Sequence, residues 1–177
     1  MMLTLFTDAS ICGRTNAAGW GAWFKCHDMP RGEMLGGEIV ADVHSSGQAE
    51  IHAIAQALDL LARRGYVRAP VRTVMVQSDS VRALQILLQC VPRTQESQHH
   101  KSALSTIKTR NRLSISPTER IALFVIQDVL RHMDTIVRHV KGHQFGPGRS
   151  WVNRQCDALA REHMHAARIK REGRARA

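Results

Sequence analysis

Near residue 48 the spacing of the apolar side chains changes, and that change limits the folds open to this chain. Up to His44 the pattern is extended. Leu3, Leu5 and the run to Thr7 read as one strand, Trp20 to Phe24 as a second, and Glu38 to His44 as a third. A polar, turn-like stretch from Asp8 to Asn16 and a break at Asp28-Met29-Pro30-Arg31-Gly32 separate them. From Gln48 the period is helical: Ile51, Ile54, Leu58 and Leu61 recur on one face until Gly65, and Ser45 with Gln48 fits a capping box at the start.

The later elements alternate. Val71 to Val76 is a β-branched run of buried-strand character, and Ser80 to Leu88 is a short helix, so Asp79 stands where strand gives way to helix. Pro92 to Pro117 is polar and basic, either a loop or a projecting helical arm. Thr118 with Arg120 to His132 forms a helix, Thr135 to Lys141 a last strand, and Gly142 to Trp151 a Gly/Pro loop. Asn153 is placed to cap a closing helix. The order β-β-β-α-β-α-α-β-α implies a mixed sheet flanked by helices, an antiparallel meander continued through helical crossovers. Active residues of such sheets gather where strands end and helices begin. At 177 residues and 44% hydrophobic, the chain has the material for one core. The organisation read from it is a domain over residues 1–167, with a basic insertion at 92–117, and a basic tail at 168–177.

Charge points to the partner class. The net +10 favours a polyanion. The surplus is concentrated: residues 92–117 hold five basic side chains against one acidic, and 161–177 hold six against two. Cys12, Cys26, Cys90 and Cys156 lack paired spacing, which argues against a zinc knuckle or a disulfide framework and for free thiols in a reducing compartment. No leader-like N-terminus or membrane-length apolar run is present, so a cytoplasmic protein without membrane attachment is expected.

Four acids share an unusual setting. Asp8 follows the first strand, Glu50 lies early in the apolar helix, Asp79 ends the fourth strand, and Asp157 lies in the first turns of the last helix between Cys156 and Leu159. Charges at the edge of a core are costly unless paired or bound to metal. Magnesium takes hard oxygen ligands and shares its shell with phosphates, and two such ions about 4 Å apart suit phosphodiester hydrolysis. Taken singly, each acid reads better as a helix cap or a surface ion pair.

The flanking residues change that. Thr7-Asp8-Ala9-Ser10, Gly19-Trp20-Gly21-Ala22, Gln48-Ala49-Glu50-Ile51-His52-Ala53, Ser78-Asp79-Ser80, Val140-Lys141-Gly142-His143 and Asn153-x-x-Cys156-Asp157-x-Leu159-Ala160-Arg161 follow one another in this order. Together they resemble type 1 ribonuclease H, over residues 4 to about 162. The resemblance implies an RNase H-like α/β fold, a five-stranded mixed sheet of order 3-2-1-4-5 flanked by helices. It implies endonucleolytic cleavage of the RNA strand of an RNA–DNA hybrid with two Mg²⁺ ions, Mn²⁺ being an alternative, and products with 3′-hydroxyl and 5′-phosphate ends. Asp8, Glu50, Asp79 and Asp157 correspond to the metal-binding carboxylates, Asp8 bridging, and His143 to a histidine on a mobile loop near the scissile phosphate.

The sequence also departs from that family. Ser45-Ser46-Gly47 stands where the family has Thr-Asn, whose asparagine helps read the minor groove; Ser46 keeps a shorter hydrogen-bonding group. Val81 replaces a residue that is often polar, and Arg14 an asparagine-like position. The loop between His143 and Asp157 is about four residues longer than the resemblance implies. The 92–117 segment takes the place of the family's basic protrusion without its tryptophans, leaving Lys101, Lys108, Arg110 and Arg112 to grip phosphates. The same charges also read as a solvated loop, and the tail from Arg168 as a binding arm or a frayed helix end. The histidines, including His99-His100 and His163-x-His165, lack zinc-site spacing. Trp20 and Trp23 cannot face the same side of one strand, and Trp151 reads as a core residue or as a platform for stacking on a base, core packing being the commoner.

A monomeric hybrid-specific endoribonuclease is the leading reading. Two alternatives stand beside it: a non-catalytic nucleic-acid-binding protein on the same fold, and a related nuclease cutting DNA or junctions.

Overall fold

The computed structural model describes residues 1–97, 113–140 and 151–174. Strands β1 (Met2–Ile11), β2 (Ala18–Cys26) and β3 (Glu33–Ile39) form the antiparallel meander. Helix α1 (Ser46–Arg63) returns the chain to β4 (Thr73–Ser78), parallel to β1 on its other side. Then come α2 (Val81–Cys90), β5 (Thr94–Glu96), α3 (Pro117–Leu130), β6 (Asp134–His139) and α4 (Trp151–Arg174). The six strands lie in the order β3-β2-β1-β4-β6-β5, with four helices among the described residues.

The expected order 3-2-1-4-5 is present, with β6 in the fifth place, and one further strand lies outside it. β5 comes from the start of the segment read as a basic loop or helical arm, and it pairs in parallel with Thr135–Val137 of β6. Ser97 N donates to Val137 O at 2.9 Å, and Thr135 N to Arg93 O at 3.0 Å. Thr-Gln-Glu carries no apolar alternation, so backbone pairing alone makes this strand.

Other boundaries shift for similar reasons. β1 runs on through the polar residues to Ile11, because Ser10 and Ile11 pair with Gly19 and Ala18. Asp8 therefore sits inside the central strand, opposite Gly21, and not after it. β3 lies earlier than Glu38–His44, since Trp23 and Phe24 of β2 draw Met34 and Glu33 into the ladder, while Val40 is 82% exposed beyond the strand end. At α1, Ser45 Oγ accepts from Gln48 N, but Gln48 Oε1 accepts from His44 N at 2.7 Å, one residue before the cap. α3 has the complete box, with Ser116 and Glu119 exchanging hydrogen bonds.

One face of the central strands packs against α1 through Leu3, Leu5, Ile51, Ile54 and Leu58, all fully buried. α4 covers the other face and lies unusually close to β2. A Cβ on Gly19 would sit 2.5 Å from the Ala160 carbonyl oxygen, and one on Gly21 would collide with the Cys156 carbonyl. These two glycines let a helix backbone rest directly on a strand backbone.

Asn153 does not cap α4. It is buried in the first turn, and Trp151 at the helix start is 55% exposed rather than packed in the core. α4 continues without a break through Arg168 to Arg174. Its end is tied to the meander by Lys170–Glu38 (3.0 Å), Arg14–Glu172 (2.7 Å) and Arg171 donating to Thr15 O. All four cysteines are free.

Candidate metal centre

Three elements converge on one point. Asp8 projects from the middle of β1, Glu50 from the first turns of α1, and Asp79 from the turn between β4 and α2. Each offers a carboxylate oxygen, and these atoms lie within 4.8 Å of one another. Asp8 and Glu50 are buried and Asp79 is partly so. The turn that carries Asp79 is held at both ends. His139 Nε2 meets Asp79 O at 3.1 Å, Val140 N donates to Ser78 O, and Ser80 Oγ caps α2 through Ala83 N.

The Ala9 amide is shared between two of the acids. It donates to Asp8 Oδ1 at 2.9 Å and to Glu50 Oε1 at 3.1 Å. Glu50 Oε2 is buried and has no hydrogen-bond partner among the described residues. Burial, followed by the negative charges of Asp8 and Asp79, holds the Glu50 carboxyl well above its usual range; the Ala9 amide opposes this only in part. Burial and the Asp8 charge likewise push the neighbouring Cys156 thiol far up, so it is inert packing. A buried group of like charges with an oxygen lacking a donor is the arrangement that a hard, oxygen-seeking cation relieves.

Asp157 lies apart from that trio. It lines the same open cavity of about 400 Å³, together with Asp8, Glu50, Asp79, Ser10, Ser46, Ser80 and Arg161. It also pairs with Arg161 at 2.9 Å, one helical turn on. Its presence at the cavity follows from the approach of α4 to Gly19 and Gly21, which lies directly across the ladder from Asp8.

The structure thus gathers Asp8, Glu50, Asp79, Asp157 and Ser46 around one cavity. His143, Lys101, Lys108, Arg110 and Arg112 lie outside the described residues. Sequence reasoning passed over Arg161 as a member of the site, although its i, i+4 spacing from Asp157 carried the signal. It also passed over Ser80, which lines the cavity and caps α2 through its hydroxyl.

The sequence matches the RNase H family profile across residues 1–165. No curated protein sequence matches significantly. Among solved structures, the chain is similar to the RNase H1 of the halophilic archaeon Halobacterium salinarum, with 19% identity and a TM-score of 0.60 over 94% of this chain and 100% of that one. It is similar also to the N-terminal RNase H domain of a Mycobacterium tuberculosis protein, with 18% identity and a TM-score of 0.60 over 96% and 97% of the two chains. LC11-RNase H1, solved in complex with an RNA/DNA hybrid, gives 15% identity and a TM-score of 0.64 over 93% and 98%.

Proposed function

The chain belongs to the RNase H family, and from that premise we propose that it is a divalent-metal-dependent endoribonuclease acting on the RNA strand of RNA–DNA hybrids. The observation that carries this is the trio Asp8, Glu50 and Asp79, whose ligand atoms lie within 4.8 Å of one another at an open cavity. A pure binding protein gains nothing from negative charge facing phosphates.

The donor set fits a hard cation: carboxylates, with one buried oxygen left without a donor. Asp8, Glu50, Asp79 and Asp157 would hold two Mg²⁺ or Mn²⁺ ions. Bound there, the ions supply Lewis-acid stabilisation of the attacking and leaving oxygens of the phosphodiester.

The protein's own part is positional. A central strand and a shared amide fix the two buried carboxylates, so they do not reorganise as the substrate arrives. Ser46 and Ser80 line the cavity, where their hydroxyls would be within reach of the nucleic acid. Arg161 holds Asp157 in an ion pair at the edge of the site. His143, by its place in the motif, would accept or return a proton near the scissile phosphate. The basic segment with Lys101, Lys108, Arg110 and Arg112 would grip the backbone. A monomer in the cytoplasm completes the reading. No helix among the described residues is long and apolar enough to cross a membrane.

One departure favours a second reading. Ser46-Gly47 in place of an asparagine weakens the expected reading of the minor groove, which keeps a nuclease for DNA or junctions in contention. The test is cleavage of a labelled RNA–DNA hybrid and of an all-DNA duplex, side by side, with Mg²⁺ and with Mn²⁺. RNA cleavage by the parent and none by Asp8→Asn supports the hybrid nuclease. Cutting of the DNA duplex alone favours the second reading. A folded parent that cuts neither overturns both.

A further inference from the structure

Arg82 is a built feature that the proposed chemistry leaves unused. It lies in the first turn of α2, two residues after Ser80, which lines the cavity. Its Nε and Nη2 meet the two oxygens of Glu119 at 2.7 and 2.9 Å, and Nη2 also donates to Ser114 O at 2.9 Å. Glu119 is 1% exposed, and its Oε2 takes a further hydrogen bond from Ser116 N at 2.8 Å. One edge of the guanidinium is thereby fixed. The rest is open: the Arg82 side chain is 42% exposed, and Nη1 has no partner among the described residues.

The stem of Arg82 also crosses Gly47. A Cβ at position 47 would stand 3.0 Å from Arg82 Cδ. Gly47 adjoins Ser46, which lines the cavity, and it belongs to the stretch where the sequence lacks the asparagine expected to read the minor groove. The space that a side chain at 47 would use is therefore occupied by Arg82.

We propose that Arg82 is a specificity-determining residue, whose outward guanidinium edge donates a hydrogen bond to a neutral acceptor in the minor groove of the bound duplex. The inference rests on the nuclease reading above. Charge decides between a neutral acceptor and a phosphate. Glu119 cancels the positive charge of Arg82 at close range, so what the pair presents to solvent is a directed donor with little net charge. Such a group suits a ribose 2′-oxygen or a base-edge acceptor better than a phosphate.

The experiment uses the full chain with Asp8→Asn, so that binding is measured without hydrolysis. Affinities for a fluorescent RNA–DNA hybrid and for an all-DNA duplex of the same sequence are measured over a range of salt, for that parent and with Arg82→Gln or Arg82→Lys added. The expected result is a loss of roughly threefold to tenfold, the value of one hydrogen bond. Lys should lose as much as Gln, because the fork and not the charge is needed, and the salt slope should not change. Loss on the hybrid alone identifies the 2′-hydroxyl as the acceptor; equal loss on both duplexes identifies a base edge. A fall in the salt slope by about 0.9, with Lys retaining affinity, would mean a phosphate contact and overturns the proposal. Unchanged affinity in both folded variants, checked by thermal melting, overturns it and leaves the nuclease reading intact. A parent that binds neither duplex removes that reading and this one together.

Discussion

Two buried glutamates early in their helices have opposite fates. Glu50 in α1 is 7% exposed and Glu119 in α3 is 1% exposed. Burial acts to raise both carboxyls. At Glu119 the guanidinium of Arg82 and the Ser116 amide and hydroxyl outweigh it, and the group is held below its usual range. At Glu50 the nearest charges are Asp8 and Asp79, which add to the effect of burial. Burial alone does not mark a functional acid. What marks it is burial that no opposite charge among the described residues offsets, and Glu119 shows that this fold can compensate a carboxylate where chemistry does not need it bare.

The hardest test of the contrast removes a charge beside Glu50. Asp8→Asn keeps the side-chain shape and removes a ligand, so hydrolysis should fall by about a thousandfold or more, a loss of several kcal/mol of transition-state stabilisation. Melting of the metal-free protein should hold steady or rise. If activity falls only because the variant unfolds, Asp8 is structural and the contrast fails.

Next in size is the placement of the fourth acid. Gly21→Ala would drive a methyl group into the Cys156 carbonyl, which belongs to a helix backbone and cannot simply swing away. Overpacking of this kind costs about 3 kcal/mol. Because α4 carries Asp157 while β1, α1 and the β4–α2 turn carry the trio, the variant should lose turnover by more than it loses affinity for one divalent ion. Calorimetric titration with Mn²⁺ beside a rate assay separates the two. Equal losses would mean that Asp157 and the trio move as one unit.

On the compensated side, Glu119→Gln keeps the volume but leaves Arg82 with weaker acceptors. Arg82 is partly exposed, so water makes up part of the loss, and about 2 kcal/mol is expected. Urea melts with and without Mg²⁺ measure it. The same shift in both conditions places Glu119 outside the metal centre, and a shift that Mg²⁺ abolishes would place it inside.

How far these features could be read in the sequence depends on what produced them. The acids were legible because short local motifs surround each one, and helical spacing was enough to place Glu50 on α1. The position of Asp8 within its strand was not, because the polar half of β1 is extended by pairing with Gly19 and Ala18, which leaves no apolar trace. β5 was hidden for the same reason. Gly19 and Gly21 stood out as part of a motif, yet their purpose depends on a helix that begins 130 residues later at Trp151. The Arg82–Glu119 pair spans 37 positions, and neither partner has an unusual neighbourhood in sequence. Residues 98–112 and 141–150, which hold His143 and Lys101, Lys108, Arg110 and Arg112 of the insertion, lie outside the described structure.

The smallest expected effect carries the most direct reading of the contrast, because it has a sign. The folded state raises the pKa of Glu50 above its unfolded value. The stability this group contributes is then fully present below about pH 4.3, the ordinary glutamate value, and is lost as pH climbs through the raised folded value. Glu50→Gln cannot ionise. In metal-free buffer its melting temperature should match the parent's near pH 4 and exceed it progressively toward neutral pH, by about 1 kcal/mol of stability. Saturating Mg²⁺ should reverse the order, since binding to the folded parent adds stability that the variant cannot gain in full. Glu119→Gln should show the opposite slope, because a depressed pKa contributes stability above the unfolded value and loses it as pH falls. Parallel pH profiles for the two variants would mean that burial, and not the identity of the neighbouring charge, governs both acids, and the distinction between them would be lost.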